Sequence, residues 1–244
     1  MQWYFRGGGV LEASSFYSKD VICKRDAFTL GEVLITLGII GVIAAITIPA
    51  LIAKYQKKVL ETQFKTAYSV LANANMAMAQ DYPSMYNDLQ DSSIPGKDRY
   101  SNHLDRLIKY ISNSRMCNIY YLKCAGGNPK AYDSFVKGSY AHIDADSLTT
   151  KSIITSSGIL IFMGPWAGSG YHIDINGPAK GPNRLGYDLF SFSIDKNNNL
   201  VPYTAFGGCL TSQREHYQGF TCSKYAVANK CETDSSKTYW ECLP

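Results

Sequence analysis

From Phe28 to Ala53 the chain runs for 26 residues with a single charged member, Glu32. At about 1.5 Å per helical residue such a run reaches about 39 Å, more than the roughly 30 Å of a bilayer's hydrocarbon core. A secretory signal peptide has an apolar core of only about 7 to 15 residues, so a membrane-spanning helix fits better. Lys24 and Arg25 lie just ahead of the run, and by the positive-inside rule they keep the N-terminus cytoplasmic and send the rest of the chain across the membrane. Glu32 is the anomaly. A carboxylate in hydrocarbon costs roughly 2.5 to 3.5 kcal/mol, so this one needs a partner or must snorkel to the nearby interface.

The helical pattern continues past the apolar run. Leu60, Phe64, Ala67, Leu71, Ala74 and Met78 recur at alternating steps of four and three, which places them on one face of a helix. Lys57, Glu61 and Lys65 are spaced for opposite-charge pairing on another face. Tyr82 precedes Pro83, and the residue before a proline is pushed out of the helical region, so the helix should end there. The whole is one helix of about 55 residues and about 80 Å, kinked at Pro49.

The segment AFTLGEVLITLGIIGVIAAITIPALI resembles the N-terminal cleavage and methylation segment of the type IV pilins and the pseudopilins of type II secretion systems. The resemblance implies that prepilin peptidase cuts between Ala27 and Phe28, that Phe28 becomes the N-methylated first mature residue, and that Glu32 is the fifth and Pro49 the twenty-second. In that family the glutamate neutralises the N-terminal amine of an adjacent subunit during assembly. Glu32 and Phe28 of a neighbour would thus form a pair in which each charge makes the other tolerable in lipid. Three features depart from the family pattern: Ala27 stands where glycine is usual, Gly31 replaces a larger apolar residue, and the leader of 27 residues is long.

The resemblance implies a bacterial inner-membrane protein with one span and a head in the periplasm or outside the cell, assembled into a secretion pseudopilus or a type IV pilus. Its partners would be other pilin-like subunits through the N-terminal helix, the prepilin peptidase, an inner-membrane assembly platform and membrane lipid. The competing reading is a singly anchored extracellular binding protein or adhesin that keeps its leader and does not polymerise. The secretion and pilus roles share the same N-terminal chemistry, so the sequence does not choose between them; the mature length of 217 residues (244 minus 27) points to a minor subunit.

Cysteine usage agrees with export. Of seven cysteines, Cys23 falls in the leader, leaving Cys117, Cys124, Cys209, Cys222, Cys231 and Cys242, an even set suited to three disulfides in an oxidising compartment. Their spacings of 7, 85, 13, 9 and 11 match no common zinc pattern. Of the 15 possible pairings, Cys117 with Cys124 and pairing among the last four is the expected one. The tail after Pro202 shows little apolar periodicity, so crosslinks are expected to hold it in place of a core.

The fold class expected is α+β: a long N-terminal helix, membrane-spanning in its first half, packed on an antiparallel sheet, with a disulfide-stapled C-terminal region. Residues 1–27 form the leader, 28–53 the span, 54–82 the amphipathic half of the helix, 83–204 the head and 205–244 the cysteine-rich region. A short helix is expected over Tyr100–Ile111, and strands over Lys151–Thr155, Gly158–Met163, Tyr171–Ile175, Leu189–Ile194 and Leu200–Tyr203, the last two joined by a turn at Asp195–Asn199.

Within the head, Asp174, Asn176, Asp188 and Asn183 collect oxygen atoms around a glycine-proline loop. Such residues either cap their own turns or serve as calcium ligands, as in the C-terminal loops of some pseudopilins. A net charge of +4 without a basic run lacks the footprint of a nucleic-acid binder. His103, His142, His172 and His216 form no metal motif and read as surface or turn residues, and no nucleophile elbow is present. The expectation is a protein without catalytic activity.

Overall fold

A computed structural model describes residues 29–117, 132–133, 135, 151–164, 170–205, 208–209 and 218–243. The chain divides into two compact units, Met1–Pro49 and Ala50–Pro244.

The described part of the first unit is helical. It belongs to α1, Leu30–Asp81, which contains Pro49 and ends at the predicted boundary. Its apolar side chains are exposed, Leu30, Ile35, Val42 and Ile46 each by more than 60%, and the helix is long and apolar enough to cross a membrane.

The second unit holds the head. After α1 come α2 (Met85–Gln90), α3 (Gly96–Leu107), a single 3-10 turn at Ile108–Tyr110, and six strands: β1 Ser114–Cys117, β2 Ser152–Thr155, β3 Leu160–Gly164, β4 Gly170–Asp174, β5 Leu189–Ile194 and β6 Leu200–Pro202. Two short helices, α4 (Cys222–Ala228) and α5 (Tyr239–Cys242), follow. The strands pair antiparallel in chain order.

Period-two alternation gives each strand two faces, and here both are covered. Ile161, Met163, Tyr171, Ile173, Phe190 and Phe192 join the core containing Phe64, Ala67, Leu71, Ala74 and Met78 of α1. The ring of Phe64 meets that of Phe190 at 4.5 Å, and Tyr68 meets Phe192 at 5.4 Å. On the opposite face Phe162 lies between Tyr132 and His172, and Phe220 packs edge-on to His172.

The β5–β6 turn is tied to the helices by side-chain amides. Asp195 accepts from the N–H groups of Asn197 and Asn199 at 2.9 and 2.8 Å. Asn198, at φ 62°, donates to the carbonyl of Pro83 at 2.7 Å, accepts from the N–H of Tyr86 at 2.8 Å, and receives Asn75 of α1 on its own carbonyl at 2.9 Å.

Four expectations are corrected. β1 and α2 carry too little periodicity to be read from sequence, and α3 starts at Gly96 rather than Tyr100. The C-terminal region has a core after all: Phe220, Cys222, Ala226, Tyr239, Trp240 and Leu243 are buried. Glu61 pairs with Lys65 at 2.5 Å and Lys58 at 3.0 Å, while Lys57 donates instead to the carbonyl of Leu243. His103 and His172 are buried rather than surface residues.

Candidate functional site

The residues that carry the sequence argument lie at the start of α1. Ala27 and Phe28 are outside the described residues, but Thr29 and Glu32 are not. The backbone N–H and the hydroxyl of Thr29 both donate to Glu32 Oε2 at 2.9 Å, and the N–H of Glu32 donates to Thr29 Oγ1 at 3.2 Å. This is a reciprocal capping box, which satisfies two of the donors that every helix N-terminus leaves open. The spacing Thr-x-x-Glu was legible as TLGE in the sequence; attention to the cost of the charge hid it.

The remaining polar side chains of the apolar run are satisfied in the same local way. Thr36 donates to the carbonyl of Val33 at 3.0 Å and Thr47 to that of Ile43 at 2.9 Å. Between Thr29 and Ala53, therefore, every polar side chain has a partner on its own helix. In hydrocarbon no water is available to do this.

The acidic loop gathers as the sequence suggested, with a different use. Asp174 accepts from the N–H groups of Asn176 and Gly177 at 3.1 and 2.7 Å and from the Tyr132 hydroxyl at 2.6 Å. Asp188 accepts from the N–H groups of Asn183 and Arg184, both at 2.7 Å. Five donors thus aim hydrogens at these two carboxylates, so the donor set does not fit calcium; turn capping is the reading that the geometry serves. Among the described residues no three His, Cys, Asp or Glu side chains gather in a way that could hold a metal. Burial pushes both carboxyls above the ordinary range, and the neighbouring Asp188 charge raises Asp174 further.

The two buried histidines are neutral for the same reason, with burial lowering each to about 3. His103 Nε2 pairs with the Tyr171 hydroxyl, which also donates to Asn75 Oδ1 at 3.3 Å. His172 Nδ1 pairs with Ser191 at 2.9 Å.

Of the cysteines, Cys209 bonds to Cys222 and Cys231 to Cys242, which resolves the pairing left open among the last four. Cys117 is also disulfide-bonded, and Cys124, its expected partner, lies outside the described residues.

A cavity of about 610 Å³ opens where residues 53–63 of α1 face the 176–182 loop, Tyr187 and Leu243. Sequence patterning gave no sign of it, because its walls come from three distant segments.

No family model, no curated protein and no solved structure matches the chain.

Proposed function

We propose that the chain is a pilin-like structural subunit rather than an enzyme. In this reading prepilin peptidase removes residues 1–27, Phe28 becomes the methylated N-terminus, and the protein assembles through α1 into a type II secretion pseudopilus or a type IV pilus as a minor component. The observation that carries the reading is the apolar half of α1: its side chains are exposed, its hydroxyls are all bonded within the helix, and its one carboxylate sits at the very end where a processed amine would be. The disulfides support an oxidising compartment for the head.

The capping box favours a second reading. Glu32 already has donors on its own chain, so it does not require a neighbour, as a singly anchored protein that never polymerises would demand. N-terminal peptide mass spectrometry of protein from its native membrane separates the two. A chain beginning at N-methylated Phe28 only when the peptidase is present supports the subunit; an uncut leader in its presence sinks it.

A further inference from the structure

We propose that the cavity beside residues 53–63 is a binding site for the headgroup of an anionic glycerophospholipid. The proposal rests on the reading of residues 28–53 as a membrane span.

Position is the first argument. The apolar run ends at Ala53, and the cavity begins there, at the depth where a span leaves hydrocarbon for the headgroup layer. Tyr55 lines it and is 69% exposed, and tyrosine is enriched at that interface.

Charge is the second. Lys57 and Lys180 line the cavity, and Lys54 follows the span directly. Glu61 is engaged by Lys58 and Lys65, and Glu241 is held in the capping box of α5 with Thr238. Lysines immediately past a span are drawn to anionic lipid by about 1 kcal/mol each.

Chemistry inside the cavity is the third. Leu60 and Leu243 supply apolar wall, suited to a glycerol backbone and the first acyl carbons. Asn176 also lines it, is 8% exposed, and its Oδ1 has no hydrogen-bond partner among the described residues. A buried acceptor of this kind is costly when unpaired, and a headgroup hydroxyl, as in phosphatidylglycerol, is the donor that would satisfy it. The volume of about 610 Å³ falls within the ordinary range for small-molecule sites.

The test uses the full chain in detergent micelles, with native mass spectrometry after addition of phosphatidylglycerol or phosphatidylcholine. The wild type should retain one phosphatidylglycerol in preference to phosphatidylcholine, and Lys180→Gln should weaken that retention about fivefold. Lys180 is exposed, so the variant should fold; unchanged near-UV circular dichroism checks this. Equal retention of the two lipids, or a Lys180→Gln variant indistinguishable from wild type, overturns the proposal. Displacement of the lipid by millimolar inorganic phosphate would make the site one for free phosphate, and a second copy of the chain bound in place of lipid would make it a protein interface; either overturns it too. Alkaline carbonate washing of native membranes separates the two failures: a chain released by the wash fails as a membrane protein, whereas one that stays but shows no lipid preference loses only this site.

Discussion

Glu32 answers to two demands at one position. As the third residue of the helix it caps the backbone through Thr29, and as the proposed fifth residue of a mature subunit it offers a charge to a neighbour's amine. A substitution can separate these uses. Glutamine serves in a capping box as glutamate does, so Glu32→Gln should keep the helix start and lose the charge. Glu32→Ala should lose both, at about 1 kcal/mol for the cap. If assembly uses the charge, both variants insert into the membrane normally and both fall out of filaments, as immunoblots of sheared filaments would record. Incorporation of Glu32→Gln at the wild-type level would show that capping is its whole role.

At the scale of elements, legibility tracked periodicity. The apolar stripe of α1 and the alternating strands β3, β4 and β5 were readable because each element repeats its own pattern over five or more residues. β1 and α2 are too short to do so, and α4 and α5 are held by residues that are isolated in sequence: Phe220, Tyr239 and Trp240 meet the core one at a time. Trp240 reaches Phe64 at 5.6 Å and Phe190 at 6.0 Å, contacts between segments far apart in the chain that no local window contains. The loop carboxylates could be placed together from sequence, but only their hydrogen-bond donors told capping from metal binding. The Cys231–Cys242 bond fixes α5 in this arrangement. A loop of that size closed by a disulfide is worth about 3 kcal/mol, so a Cys231→Ser, Cys242→Ser double variant should lose about that much stability in a urea titration, with a matching rise in Trp240 solvent exposure by fluorescence.

For the whole molecule, stability against pH is set by opposing buried groups. His103 and His172 have folded values near 3 against an ordinary 6.5. Their contribution is complete above 6.5 and is lost as pH falls toward 3. Asp174 and Asp188 are raised from an ordinary 3.8, so theirs is complete below that value and is lost as pH rises toward neutrality. Between about pH 4 and 6 the two slopes cancel, and these four groups leave the urea midpoint flat. His103→Gln should make the midpoint fall with rising pH over that window, and Asp188→Asn should make it rise. A flat profile in both variants would mean that these groups titrate elsewhere.

The seating of Trp240 against Phe64, and of Leu243 against Lys57, also sets an order of events. A ribosome delivers Phe64 early and Trp240 almost last, and a chain threaded N-terminus first through a translocation channel emerges in the same sequence. Until its final few residues arrive, the membrane-proximal end of the helix has no lid over its aromatic side chain. The protein therefore cannot finish folding while it is being exported, and a cargo fused behind residue 243 would compete with the event that completes it.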